Sequence, residues 1–378
     1  MIKHGMCKLR SYASKCIQPS MLKRNFCAVY ESGQTEFPLI INGTNLAKNI
    51  LQRIQTQVHD FEKCYHRKPG LAVILVKYKP QSMVYTQLKA KKAHKLGIQS
   101  VDFYLNESET TKQSLIDLIE ELNHDDHIDG ILLQLPLPPS LSTHTNDIVD
   151  HISPLKDIDG LTSKNQGILT KYGRHFIQDN LHNLHYDEID ATNCRQYMNF
   201  PCTPLAVVHI LEYLQSVDRR KYEIQCKNIV MIGRSCLVGT PLSLMLSAKN
   251  ATVTLCHSYT DQIPHNLNQH CSRADIIVVA AGSPNLITSA SIKPGCIVID
   301  VGTNVMEHKQ GSAMKITGDV SYEQVKHLTS AITPVPGGVG PLTVAMLFKN
   351  TIRAAKCRQL LQQRESQTLV AKRKRNKL

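Results

Sequence analysis

No stretch of this 378-residue chain approaches the ~20 consecutive apolar residues that cross a bilayer, although 42% of its residues are hydrophobic. A membrane-spanning helix is thereby excluded. Acidic residues are missing between Met1 and Tyr30, where Lys3, Lys8, Arg10, Lys15, Lys23 and Arg24 stand among serines and Glu31 is the first acid. Basic, serine-containing and acid-free is the composition of a mitochondrial presequence, which predicts a matrix location; the plainer alternative is a disordered basic start. Either way, about the first 35 residues are set aside from the fold. The twelve cysteines include no C-x-x-C pair, and Cys256 and Cys296 lie inside apolar runs, so they read as small buried hydrophobes in a reducing compartment rather than as a disulfide framework. At the other end, "LVAKRKRNKL" has no aromatic residue alternating with its charges to stack on bases. A solvated tail is therefore favoured over a nucleic-acid or nuclear-localisation patch.

Removing the two basic ends leaves little of the net charge of +13 to explain. The length predicts about two domains. "GTNLAKNILQRIQTQVHDF" has the i, i+3, i+4 apolar spacing of an amphipathic helix. "GLAVILV" (Gly70 to Val76) is a continuous apolar run of the kind found in strands covered on both faces. A lysine-rich helix around "VYTQLKAKKAHKLG", the strand "VDFYL", the helix "KQSLIDLIEELNHDD" and the strand "IDGILLQLPLP" follow. Strands alternating with helices predict a parallel α/β layer structure. A polar stretch from about Thr170 to Asn199 interrupts the pattern. Beyond it, "CKNIVMIGRSCLVGTPLSLMLSAKNATVTLCHSYT" reads as strand, glycine turn, helix and strand, a βαβ unit of nucleotide-binding type. "ADIIVVAAG" and "GCIVIDVG" add two buried strands that end in glycine, and "GPLTVAMLFKNTIRAAKCRQLLQQRE" is a final helix long enough to pack back on the first half.

Five stretches carry the chemistry. In the first, Tyr85 and Lys89 stand four residues apart and so share one helical face. The same spacing occurs in short-chain dehydrogenases, but there the pair follows the nucleotide turn, whereas here it precedes Gly233. Next, "LLQLPLPPS" places Gln134 in an apolar strand end, where a buried amide needs a partner such as a lysine or a ligand carbonyl. Asp157 and Asp159 of "KDIDG" sit in a turn, where aspartate is usually conformational. The turn "GRSCLVGTP" (Gly233 to Pro241) opens a helix whose N-terminus attracts a pyrophosphate. The strand after it ends "CHSYT" with no carboxylate before Asp261. An acid for the ribose 2′-hydroxyl of NAD is thus missing, while Ser258 and Arg234 suit a 2′-phosphate, so NADP is favoured over NAD. Finally, "ITPVPGGVGPLT" (Ile332 to Thr343) sets prolines that fix the chain beside glycines that let a flat ligand approach. "HNLHYDE" (His182 to Glu188) lacks a metal-ligand spacing, and no metal is expected.

Taken together, "SMVYTQLKAK", "DGILLQLPLP", "KDIDGLTSKNQG", "PCTP", "GRSCLVGTP" and "ITPVPGGVGP" resemble, in order, the methylenetetrahydrofolate dehydrogenase/methenyltetrahydrofolate cyclohydrolase family. The resemblance runs from about Asn42 to Lys356; the leader and the last helix look most like its mitochondrial branch. It implies a bifunctional enzyme that oxidises 5,10-methylenetetrahydrofolate with NAD(P)+ and hydrolyses the methenyl product to 10-formyltetrahydrofolate. By the same resemblance it is a homodimer acting on tetrahydrofolate derivatives, polyglutamylated forms among them, with no nucleic-acid or membrane partner. The implied organisation is a presequence (1–35), a folate-binding catalytic domain (36–199), a Rossmann-type domain (200–331), a return segment and helix (332–364) and a basic tail (365–378). Lys89 is implied as the acid/base of hydrolysis with Gln134 as its partner, Tyr85 as a pocket residue and Asp159 as the pterin holder. Leu133, Leu135, Pro336, Gly337, Gly338, Val339 and Gly340 are implied on the folate side. Thr203, Gly233, Arg234, Ser235, Val238, Gly239, Ser258, Gly282 and Thr303 are implied on the cofactor side. A lysine exchanging protons near neutral pH needs a lowered pKa, which partial burial and nearby positive charge supply. Four departures stand out: Lys77 where the family usually has glycine, "GTN" (Gly302 to Asn304) for its G-I-N, a long 170–199 stretch, and Ser258 where the NAD-preferring mitochondrial members tend to carry an arginine, so that leader and tail suggest one branch and the cofactor pocket another. Competing readings are another NAD(P)-dependent oxidoreductase, a non-catalytic folate-binding descendant and a basic nucleic-acid-binding protein.

Overall fold

Two parallel sheets share one hydrophobic core. The computed structural model describes residues 38–77, 80–180, 199–262, 266–307 and 314–375. The basic leader and the His182–Glu188 cluster lie outside them. The chain opens with a short strand, β1 (Leu39–Ile40), and then α1 (Gly43–Tyr65). The Asn42 side chain accepts the Asn45 backbone N–H at 3.0 Å, an N-cap, and Ala47, Ile50, Ile54, Val58 and Phe61 form the buried stripe expected from the spacing. β2 (Gly70–Lys77), α2 (Pro80–Leu96), β3 (Gln99–Asn106), α3 (Lys112–His124) and β4 (Gly130–Leu133) build a parallel sheet in the order β3-β2-β4. β2 is the central strand and is buried at every position but Lys77.

α4 (Ser163–Asn180) runs through the first part of the polar stretch expected to interrupt the pattern. α5 (Cys202–Val217) then leads into the second sheet of β5 (Asn228–Ile232), α6 (Gly239–Ala248), β6 (Thr252–Cys256), β7 (Ile276–Val279) and β8 (Ile297–Asp300). A two-stranded antiparallel pair, β9 (Asn304–Glu307) and β10 (Met314–Thr317), precedes β11 (Ala331–Ile332). The order of the second sheet is β1-β11-β8-β7-β5-β6, parallel throughout. Leu39 and Ile40 therefore pair with Ala331 and Ile332 and belong to the second sheet, although the expected boundary gave them to the first domain. The last helix, α7 (Val339–Arg375), packs on α1 and α5. It continues ten residues past Glu365, where a tail was expected (375 − 365), because nothing after Pro341 breaks a helix.

Side-chain parity divides the core. Leu71, Val73 and Leu132 of the first sheet, and Ile229, Met231, Ile276 and Val278 of the second, join α1, α5 and α7 in one shared cluster. Ala72, Ile74, Val76, Ile131 and Leu133 face the opposite way, onto α3. Beside the shared core lies an ionic junction. The fully buried Asp129 takes both Arg67 Nη atoms at 2.7 Å and Arg358 Nη1 of α7 at 2.8 Å, which ties the last helix to the start of β4. Cys256 and Cys296 are buried as expected, and burial pushes the Cys296 thiol up to about 12.

Candidate active site

The carboxyl end of β4, the turn after it and α2 meet at a lysine. Lys89 Nζ donates to Gln134 Oε1 at 2.7 Å. The Gln134 amide is turned by its other side, since Nε2 donates to the Leu135 carbonyl at 2.8 Å, so the oxygen is presented to the lysine. Burial pushes the Lys89 ammonium below its ordinary value; Asp159 and, more weakly, Cys202 oppose the shift. The expected nearby positive charge is not the cause: the charged neighbour is a carboxylate. Burial also pushes the Asp159 carboxyl up, against the pull of Lys89 and of hydrogen bonds from Cys202. The Cys202 thiol, buried beside that carboxylate, is raised well above the ordinary thiol value. All three shifts favour neutral forms, as a dry pocket does.

These groups line a cavity of about 200 Å³ together with Leu132, Leu135, Thr203 and Val238. Beside it lies a second cavity of about 490 Å³ bounded by Thr303 and the Pro336–Gly340 loop, and Lys89, Thr203, Val238, Thr343 and Val344 border both. Leu133, expected here, is instead buried among the α3 residues. Successive strand residues face opposite sides, and its neighbour Leu132 is the one that reaches the cavity. Lys77 lines neither cavity. Tyr85 is on α2 one turn before Lys89, and its side chain lies outside the described residues.

The Asp159 turn is braced from behind. Asp157, which by itself looked merely conformational, accepts the backbone N–H of Leu161 at 3.1 Å, that of Thr162 at 2.9 Å and the Asn165 amide at 2.8 Å. Asn350 of α7 donates to the carbonyls of Ile158 at 2.8 Å and Phe200 at 2.9 Å, locking the last helix to the same turn. Cys202, Gln166, Thr343 and Asn350 escaped sequence reasoning. A lone polar residue in an apolar run was the available signal for Thr343; Asn350, between Lys349 and Thr351, offered none.

The nucleotide turn lies where strand order reverses, with β6 on one side of β5 and β7 on the other. Such a switch point leaves a crevice at the carboxyl ends of the strands. Gly233 has φ +110°, and a Cβ there would stand 2.2 Å from the Ala280 carbonyl oxygen; at Gly239 a Cβ would stand 1.9 Å from that of Gly233. Both positions therefore require glycine. Ser235 Oγ accepts the Val238 N–H at 3.2 Å, and the exposed turn presents the positive end of α6. Arg234 lies over the Tyr259 ring at 5.7 Å, and Ser258 is exposed beside it. Gly282 follows β7, its N–H held by the buried Asp319 at 2.9 Å. Glycines without room for a side chain, a helix N-terminus and a guanidinium, with no described carboxylate at the β6 tip, fit the phosphates of a dinucleotide.

A parallel six-stranded nucleotide-binding sheet joined to a smaller α/β layer, with a buried lysine in the cleft, defines a two-domain dinucleotide-dependent enzyme. Two family models match the chain: the tetrahydrofolate dehydrogenase/cyclohydrolase catalytic domain over residues 41–159 and the NAD(P)-binding domain of the same enzymes over residues 201–359. The bifunctional protein FolD of Acetivibrio thermocellus is 41% identical over 317 residues, 84% of this chain and 96% of that one. Among solved structures, the FolD methylenetetrahydrofolate dehydrogenase/cyclohydrolase of Campylobacter jejuni is 36% identical with a TM-score of 0.69, covering 84% of this chain and 99% of that one. The corresponding Trypanosoma brucei enzyme, solved with NADP and an inhibitor, is 31% identical with a TM-score of 0.71, covering 85% and 98%. The chain belongs to the tetrahydrofolate dehydrogenase/cyclohydrolase family.

Proposed function

We propose that the chain is a bifunctional one-carbon enzyme that oxidises 5,10-methylenetetrahydrofolate to the methenyl cation and hydrolyses that cation to 10-formyltetrahydrofolate. The observation that carries this reading is the Lys89–Gln134 pair facing Asp159 inside the cleft. NAD(P)+, held at the Gly233–Gly239 turn, would supply the hydride acceptor; the protein's part is to hold the two reactants together in the cleft between the sheets. For hydrolysis, Lys89 takes a proton from the attacking water. Its lowered pKa serves twice, since a neutral amine accepts a proton and does not repel a cationic substrate. Gln134 holds the amine through its oxygen and keeps it oriented. Asp159 accepts hydrogen bonds from the pterin, and the Pro336–Gly340 loop covers the folate opposite Lys89. The test is direct: purified protein with methylenetetrahydrofolate and either NADP+ or NAD+ reduces the cofactor, and no turnover with either from folded protein overturns the assignment.

Three finer readings accompany it. NADP is preferred over NAD, supported by Arg234 and Ser258 at the β6 tip; Ser258→Asp then shifts the ratio of kcat/KM toward NAD, and an unmoved ratio rejects a 2′-phosphate site there. A matrix location rests on the acid-free basic leader, and import of a leader-fused reporter tests it. A homodimer, and polyglutamylated folates as substrates, rest on likeness to the family.

A further inference from the structure

One side chain spans the two halves of the cleft. Gln166, in the first turn of α4, donates from Nε2 to the Gly160 carbonyl at 3.0 Å and also to the Cys236 carbonyl at 3.3 Å. Gly160 immediately follows Asp159, and Cys236 immediately follows Ser235 in the nucleotide turn. The –NH₂ group carries two hydrogens, so each carbonyl receives its own. We propose that Gln166 is a positioning residue that couples occupancy of the nucleotide turn to the geometry of the Asp159 turn, making the binding of cofactor and folate interdependent.

Both ends of the bridge are stiff enough to transmit a displacement. Gly160 has φ +68°, and a Cβ there would stand 2.6 Å from the Asn199 carbonyl oxygen, so the 199–201 backbone packs directly against it. On the far side, Ser235 Oγ holds the Val238 N–H at 3.2 Å, and Thr240 Oγ1 donates to the Arg234 carbonyl at 3.2 Å. Asp159 and Leu161 from one turn, and Leu237 and Val238 from the other, line the same cavity. The Gln166 amide therefore sits between two turns that each contribute to its walls. A dinucleotide that fixes the 233–239 turn fixes the Cys236 carbonyl, and through Gln166 it fixes the carbonyl beside Asp159. One neutral hydrogen bond sets the scale of such coupling at about two- to tenfold in affinity, and linkage requires it to be equal in both directions.

This inference rests on the folate and cofactor assignments above, and the test separates the two. Titration calorimetry on the full chain measures NADP+ and tetrahydrofolate binding, each alone and each with the other saturating; without a transferable one-carbon unit the pair does not react. The wild type is expected to show an affinity ratio about threefold or more from unity, the same from either side. Gln166→Met keeps length and volume but has no donor; it is expected to bring the ratio to within about twofold of unity while each ligand alone keeps its affinity. Gln166→Lys, which restores a donor able to reach both carbonyls, is expected to recover the coupling. A wild-type ratio of unity, coupling retained in Gln166→Met, or equal weakening of each ligand alone in that variant overturns the proposal. Failure of the wild type to bind either ligand alone overturns the underlying assignment as well.

Discussion

Lys89 and Asp159 perturb each other without an ion pair. Each is pushed toward its neutral form by burial, and each pulls the other back toward charge. Removing one partner therefore has a defined sign for the other. Lys89→Ala is expected to reduce methenyltetrahydrofolate hydrolysis by at least ~10²-fold while cofactor binding stays within about twofold, followed by methenyl absorbance and by NADP+ titration. Asp159→Asn removes the charge that raises the Lys89 pKa, so the amine becomes neutral at lower pH. The ascending limb of hydrolysis against pH should shift to lower pH, and a limb that stays put or moves up shows that Asp159 does not act on the lysine. Much of this chemistry was legible in the chain as motifs. The Lys89–Gln134 bond was expected from an amide stranded in an apolar strand end. Of the two expected sources of the lysine's shift, burial holds and nearby positive charge does not, because sequence says little about which charges share a pocket. Leu133 and Leu132 were exchanged for a similar reason, since an unbroken apolar run hides strand parity.

Among the elements, continuous apolar runs such as β2 and β5 announced themselves, as did α1 with its apolar stripe. Short pieces did not. β1 and β11 are two residues each and pair only with help from the far end of the chain. α5 is apolar on most of its faces because it lies between the shared core and α7, so it lacks the one-sided pattern that marks a surface helix. Turns were the clearest at this scale, since glycine has a physical reason to be where it is. Gly233→Ala places a methyl against the Ala280 carbonyl at a backbone angle L residues rarely adopt. Its expected cost is about 2 kcal/mol or more, read as a lower urea midpoint, together with loss of NADP+ binding. Wild-type stability and affinity in that variant would show that the turn has another conformation available.

For the molecule as a whole, the two sheets are not separable modules. Val73 and Leu132 of one, and Met231 and Ile276 of the other, meet the same set of side chains on α1, α5 and α7. Calorimetry should accordingly give one cooperative transition, with equal calorimetric and van't Hoff enthalpies. Arg358→Met should lower it by an amount equivalent to about 3 kcal/mol, because Asp129 then loses one of its two guanidinium partners in a fully buried position and keeps Arg67 and the Gly70 N–H. Two well-separated transitions would mean that the shared core contributes little. The α/β class and the nucleotide-binding half were readable from the alternation of strand and helix. The return of the last helix onto the first half was readable from its length; the pairing of β1 with β11 was not, because two-residue strands from opposite ends of the chain carry no pattern of their own.

At Gly43, where α1 begins, a Cβ would stand 1.7 Å from the Gly338 carbonyl oxygen, so the start of α1 presses directly on the Pro336–Gly340 loop that borders the larger cavity. The order of synthesis gives this contact its meaning. A nascent chain still short of Val339 already contains Lys89, Gln134 and Asp159, yet the part of their pocket wall supplied by Thr343, Val344 and Leu347 is still missing. Competence is thus expected only once that helix has been made, and every earlier stage on the ribosome holds Lys89, Gln134 and Asp159 in an unfinished pocket.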